Sequence, residues 1–369
     1  MKIVQLCPYA MDRPGGVQRH VRDLSAWLTR QGHDVRIIAP PAPGQAPRQR
    51  GVLTEIGRSR DFGAHGTAFE LSGAAPWHVR NLAQELRTWG AELVHMHTPW
   101  TPMLVWQVWR ALRLPTVTTF HATLPELQGK GLVDRYIRNA ARHFLRHSQA
   151  VVVPSEAPLP MLHGLAPGLA AHVLPPTVDL TPWRDTPRPD HPGLSLVFLG
   201  RLEARKGVDV LLKAWAHCAP ALPEATLTIA GDGEMQRQVM AAGLPRLHYL
   251  SRPDDAEARA LLAGADLFIA PAPYGESYGI VLAEAMATGA VPVAAANDGY
   301  RSVLGPDGAD LLVAPGDAQA LAAKITELAP DTARLEGLRD WARTRSLETD
   351  VMRAGPAYER LFQSVLNTA

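Results

Sequence analysis

A chain of 369 residues exceeds what one hydrophobic core usually organises, so two domains are expected. With 46% hydrophobic and 20% charged residues it has an ordinary soluble globular composition, and a formal charge of +1 speaks against a nucleic-acid polyanion partner or an acidic tail. Cys7 and Cys218 stand far apart, match no metal-ligand spacing and read as free thiols of a reducing cytosol. The opening run MKIVQLCPYA is broken at Pro8 and reads as a first strand, not as a secretory signal. No apolar stretch approaches the roughly 20 residues that span a bilayer. A cytoplasmic protein, peripheral at most at the inner membrane face, is expected.

In chain order, KIVQLC, DVRIIAP, ELVHMH, TVTTFH and AVVVPS are short β-branched runs with the look of strands. Between the first two, residues 17–32 repeat apolar positions Val17, Val21, Leu24 and Leu28 on one helical face, and Gly32 stops the helix. The proline-rich stretch 172–193 reads as a stiff linker. The alternation then restarts with LSLVFLG, ATLTIAG, LHYLS, DLFIAP and VPVAAA. A final helix, AYERLFQSVLNTA, follows a break at Gly355-Pro356. Near-continuous apolar strands alternating with helices predict an α/β protein of two Rossmann-like, doubly wound parallel-sheet domains. The expected boundaries are 1–175 for the first domain, 176–193 for the linker and 194–350 for the second, with helix 356–369 packing back on the first.

Neither domain opens with the G-x-G-x-x-G dinucleotide fingerprint, and GDGEMQ offers only Gly231 and Gly233, so a nicotinamide dehydrogenase or epimerase is disfavoured. In open α/β sheets ligands bind beyond the carboxyl ends of strands, and three such turns stand out. The first, MDRPGGVQRH, sets Gly15 and Gly16 before a helix; the pair suits an anion at the helix start and equally a plain tight loop. The second, FLGRLEARKG, places Gly200, Arg201 and Lys206 before Gly207, where two cations can neutralise a diphosphate. Lys206 is one of five lysines in a chain with 32 arginines.

The third turn, GESYGIVLAEAMATGAVPV, starts a helix near Ser277 or Tyr278, with Glu276 at its mouth and Glu284 about two turns inside, roughly 12 Å along the axis. Two acids on an amphipathic helix can simply be solvated. With the amides of Ser277, Tyr278, Gly279 and Ile280 turned toward the same mouth, they can instead clamp a ligand, sugar hydroxyls at one end and ribose hydroxyls at the other. His95 and His97, in VHMHTPW, share a strand face; with no third ligand apparent, they read as a polar wall and not as a metal site.

GRLEARKG followed by ESYGIVLAE resembles the E-x7-E signature of GT-B glycosyltransferases of family 4, and GGVQRHVRDLSAWLTRQGHDV and TFHATLPE are similar to the matching parts of its phosphatidylinositol mannosyltransferase branch. The resemblance spans nearly the whole chain. It implies two Rossmann-like domains facing a central cleft, an acceptor side in the first and a nucleotide-sugar site in the second. It also implies roles: Gly16 against donor phosphate, Arg201 and Lys206 on the diphosphate, Glu276 on the donor sugar and Glu284 on the ribose. His121 would line the sugar site, and Asp255, in SRPDDAEAR, would lie where the nucleobase is held, although a helix cap explains that acid equally well. Two departures stand out: PPTVD replaces an Asn-Gly turn at 175–179, and AANDGYRSVL replaces a Gly-Gly and glutamate pattern around Asn297 and Gly299.

The implied activity is that of a retaining hexosyltransferase needing neither metal nor cofactor, moving mannose or glucose from a GDP-, UDP- or ADP-linked donor to a hydroxyl acceptor, glycan or lipid-linked. No D-x-D sequence occurs. A non-catalytic nucleotide-sugar binder of the same fold is the alternative. The branch presents a basic amphipathic helix to membranes, but the matching segment 76–90 carries only Arg80 and Arg87 against Glu85 beside Leu82, Leu86 and Trp89, so membrane contact is expected to be weak or absent.

Overall fold

The computed structural model describes residues 1–64, 67–100, 103–122 and 132–368. They divide into two compact units, Met1–Val178 with Val351–Ala369, and Asp179–Asp350.

The first unit holds β1 (Lys2–Leu6), β2 (Asp34–Ala39), β3 (Gln49–Arg50), β4 (Leu53–Glu55), β5 (Arg58–Ala64), β6 (Thr67–Gly73), β7 (Leu93–His97), β8 (Thr116–Thr119), β9 (Ala150–Val153) and β10 (His172–Val173). Eight of these form one sheet in the order β10-β9-β8-β7-β1-β2-β4-β3, parallel except at β3–β4, while β5 and β6 make a separate antiparallel hairpin. Residues of β7, β8 and β9 are buried throughout, as strands covered on both faces require. The helix after β1 runs Gly16–Arg30 and ends through Gly32 at φ 86°, a left-handed stop that glycine takes without a Cβ clash.

The last helix, Val351–Thr368, packs Tyr358, Leu361, Phe362 and Val365 against Ile3, Leu24, Trp27 and Leu28 of this unit. The expected break at Gly355-Pro356 is absent, since Pro356 lies inside the helix. Proline within the second turn takes away an intrahelical donor, yet burial of the helix's apolar face carries it through. Gly355 has another purpose: a Cβ there would come within 2.7 Å of the Trp27 ring.

The second unit holds β11 (Ser195–Leu199), β12 (Thr226–Ala230), β13 (Leu247–Leu250), β14 (Leu267–Ala270), β15 (Val291–Ala295) and β16 (Leu312–Val313). They pair in parallel in the order β13-β12-β11-β14-β15-β16, the doubly wound order in which the winding reverses between the first and fourth strands. The proline-rich stretch is not a free linker beyond Val178. Residues 179–193 belong to this unit, Leu180 and Trp183 are buried, and Arg188 donates to Asp266 and to the Ala265 carbonyl. No helix among the described residues is long and apolar enough to cross a membrane.

Candidate active site

In the second unit the loops after β11 and β14 leave adjacent strands at the reversal point, and they touch. Gly207 has φ 72°, and a Cβ on it would lie 2.2 Å from the Pro271 carbonyl oxygen. This closeness brings the predicted cations to the predicted acid. Lys206 Nζ donates to Glu276 Oε1 at 2.5 Å, and Arg205 Nη1 stands 3.7 Å from the same oxygen. Glu203, also buried, takes Arg205 on Oε2 at 2.7 Å and Arg201 on Oε1 at 2.8 Å. Arg201, Glu203, Arg205, Lys206 and Glu276 thus form one network of three cations and two carboxylates. Arg201 is half exposed, whereas Glu276 and Lys206 are mostly enclosed. Glu203 and Arg205 are additions to the sequence reading; both stand in the quoted GRLEARKG, and only their placement singles them out.

The helix begins at Ile280 with Gly279 as its cap, later than Ser277 or Tyr278, because Gly279 takes φ 112° and turns the chain into the first turn. The amides that open the helix are therefore those of Ile280 and its successors. Glu284 lies one turn inside at 4% exposure. Ser277 and Tyr278 are both buried, and the Tyr278 hydroxyl meets Thr349 Oγ1 at 2.7 Å within the unit. Burial, with Glu276 nearby, pushes the Tyr300 phenol well above its usual range, so it stays protonated.

Asn297 and Gly299, where the sequence departs from the family pattern, brace this loop. Asn297 Nδ2 donates to the Ala272 carbonyl at 2.8 Å and Oδ1 accepts from the Tyr300 amide at 2.9 Å. A Cβ on Gly299 would sit 2.4 Å from the Glu276 carbonyl oxygen. Gly200 follows β11 with its amide bonded to the Ala230 carbonyl, and Gly231 and Gly233 lie against Gly200 and Leu202, too near for any side chain. Asp254 is the cap of helix Asp255–Ala263, in a reciprocal capping box with Glu257, and Asp255 is exposed in its first turn.

In the first unit Gly16 is the first residue of its helix, and Gly15 is extended at φ 173°, so neither glycine is required by a left-handed backbone. Glu70 of β6 holds the loop before them, accepting from the Ala10 amide at 2.8 Å and from Arg13 at 2.7 Å, a contact that no local sequence signal announces. His95 and His97 are buried on β7, and His121 follows β8 beside them; residues 123–126 of TFHATLPE lie outside the described residues. His97 Nδ1 is 2.8 Å from His121 Nε2, His97 Nε2 is 2.8 Å from Gln5 Oε1, and His95 Nε2 is 2.7 Å from Thr119 Oγ1. His20, from the first helix, joins them with its ring 5.2 Å from that of His121. Burial drives the His20 pKa down to about 3 and those of His95, His97 and His121 well below the usual value, so all four rings are neutral at pH 7.

Among the described residues, the rings with metal-ligand spacing are not the His95–His97 pair of the sequence reading but His20, His97 and His121. Their nitrogens lie within 4.8 Å of one another, a spacing open to a metal ion. The proton inventory argues against it. The Thr177 amide donates to His20 Nδ1 at 2.9 Å, which fixes the proton on Nε2 and leaves no lone pair for a metal.

The family model for Glycosyltransferase Family 4 matches residues 14–182, and that for Glycosyl transferases group 1 matches residues 182–345. The phosphatidyl-myo-inositol mannosyltransferase of Mycolicibacterium smegmatis is 31% identical over 341 residues, covering 90% of this chain and 85% of that protein. Its namesake from Propionibacterium freudenreichii is 35% identical over 320 residues, covering 80% and 77%. Anabaena HepE in complex with UDP and glucose superposes with a TM-score of 0.74 at 19% identity over 99% of this chain and 100% of that one. Sucrose-phosphate synthase from Thermosynechococcus elongatus does so with 0.77 at 18% identity over the whole of both. The two superpositions speak for the GT-B fold, and the sequence matches for more: this chain belongs to family 4 of the GT-B glycosyltransferases.

Proposed function

We propose that the protein is a retaining, metal-independent hexosyltransferase that moves mannose or glucose from a nucleotide diphosphate sugar to a hydroxyl of a glycan or lipid-linked acceptor. The observation that carries this reading is the Lys206–Glu276 pair at the reversal point of the second sheet, with Arg205 3.7 Å from the same carboxylate oxygen. Cations for a diphosphate and an acid for sugar hydroxyls are thereby held in one place before any donor arrives. Arg201, Arg205 and Lys206 stabilise charge on the departing nucleotide, preorganised and partly shielded from water. They supply the charge that a divalent ion brings to other phosphate sites.

Glu276 accepts from donor-sugar hydroxyls and Glu284 from the ribose, while the amides around Ser277, Tyr278, Gly279 and Ile280 face donor oxygens. Gly200 and Gly16 give backbone access to phosphate, Asp255 holds the nucleobase, and His121 accepts from a sugar hydroxyl. Double displacement needs a carboxylate nucleophile at the anomeric carbon. Glu276 is committed to hydroxyls and paired with Lys206, which favours front-face attack with the donor phosphate taking the acceptor proton. Mannose comes first because relatives at 31% and 35% identity are named mannosyltransferases, and glucose second because HepE was crystallised with UDP and glucose. We place the protein in the cytoplasm, with weak membrane contact at most.

A thermal-shift screen of GDP-, UDP- and ADP-linked sugars tests donor recognition, since a ligand stabilises the state it binds. One nucleotide family raising the melting temperature supports the reading. A flat response to all three contradicts it.

A further inference from the structure

Four neutral imidazoles packed together must share their protons in a definite order, because each ring carries one N–H and one lone pair. Gln5 Oε1 is an acceptor, so the 2.8 Å approach of His97 Nε2 makes that nitrogen the donor. His97 Nδ1 then keeps a lone pair, and its 2.8 Å partner, His121 Nε2, must bring the proton. The remaining nitrogen of His121 is left bare. Gln5 and His97 are both fully buried, so no water competes for these bonds.

We propose that His97, anchored by Gln5, is the positioning residue that holds His121 in its Nε2–H form and so leaves Nδ1 as the ring's hydrogen-bond acceptor. The proposal deepens the role given to His121 above and rests on that reading for its meaning in transfer: an Nδ1 lone pair accepts a sugar hydroxyl, whereas an Nδ1–H cannot. The burial that keeps all four rings neutral preserves the order, since a protonated His121 would have no lone pair to offer. His20 is fixed separately, by the Thr177 amide on its Nδ1, so it has no lone pair to compete for the His121 proton.

The order is read directly by two-bond 1H–15N correlation spectra of the full chain labelled on histidine nitrogen, with the His121 signals assigned from His121→Gln. Expected is a bare Nδ1 and a protonated Nε2 at pH 7.5. His97→Phe removes the acceptor, mixes the two tautomers of His121, and lowers kcat with GDP-mannose or UDP-glucose at least about tenfold while changing the donor KM by less than about threefold. Should His97→Phe fail to fold, Gln5→Met removes the anchor and is read the same way. A wild-type His121 protonated on Nδ1, which requires the Gln5 amide turned over, overturns the proposal. So does a variant of either kind with unchanged tautomer and kcat. An inactive wild type showing the stated tautomer overturns the transfer role of His121 and supports the proton order on its own.

Discussion

Lys206 Nζ sits 2.5 Å from Glu276 Oε1, so each of these groups already has its counter-charge before a ligand enters. If Lys206 takes the donor diphosphate as proposed, the donor draws it away from that carboxylate. Removing the carboxylate's charge should therefore separate binding from turnover. Glu276→Gln is expected to bind GDP or UDP about tenfold more tightly, near 1.4 kcal/mol, while transferring sugar far more slowly. Isothermal titration with the free nucleotides checks this. Weaker nucleotide binding in the variant would mean that Glu276 does not compete for Lys206.

Tyr278 meets Thr349 through a buried 2.7 Å hydroxyl bond, which spends its polar atom inside the unit. Tyr278→Phe should lower stability by about 1–2 kcal/mol in urea denaturation, the cost of a buried partner left unpaired, with the donor KM unchanged. A raised KM at unaltered stability would instead place the phenol on the donor.

Fully enclosed His20, His95 and His97 have pKa values held below that of an unfolded histidine, 6.5. Below that pH the unfolded chain binds protons that the folded first unit refuses, so stability is complete above about pH 7 and falls as the pH drops toward the folded values. Each of the three is expected to cost roughly 1 kcal/mol between about pH 7.5 and about pH 5.5. Urea midpoints across this range, followed by tryptophan fluorescence, measure it. A flat profile would show the rings to be hydrated.

Arg87 donates to the Ala111 carbonyl, which ties down one of the two positive charges on helix Pro76–Trp89. Arg80 remains exposed there, and Arg36 engages Glu85. An anionic surface gains about 1 kcal/mol per nearby cation, so weak attachment at most is expected of this helix. Little co-sedimentation with phosphatidylserine vesicles at physiological salt is expected. Tight binding abolished by Arg80→Ala would contradict this.

Much of the fold was legible because its signal is periodic. The runs KIVQLC and ELVHMH become neighbouring strands β1 and β7, and LSLVFLG and DLFIAP become β11 and β14. Strands β3 to β6 are absent from the sequence reading: β3 and β4 are too brief to show a period, and the β5–β6 hairpin has its own two-stranded pairing outside the main sheet. The helix at Gly355-Pro356 runs on because packing against Trp27 outweighs a local breaker. In the candidate site, Arg201, Lys206 and Glu276 could be singled out because strand ends gather such loops in a doubly wound sheet and because the family resemblance attached roles to them. Glu203, Arg205, Glu70 and His20 could not, because their importance depends on which distant group each one meets.

The central claim is sugar transfer driven by the Glu276 site. Its most direct measurement is transfer of labelled hexose from GDP-mannose and UDP-glucose to a lipid-linked or glycan acceptor, in EDTA, by wild type and Glu276→Ala of verified fold. The account predicts undiminished wild-type turnover in EDTA and a loss of about two to four orders of magnitude in the variant. Wild-type activity restored only by added Mg²⁺ or Mn²⁺, or full turnover by Glu276→Ala, would contradict it.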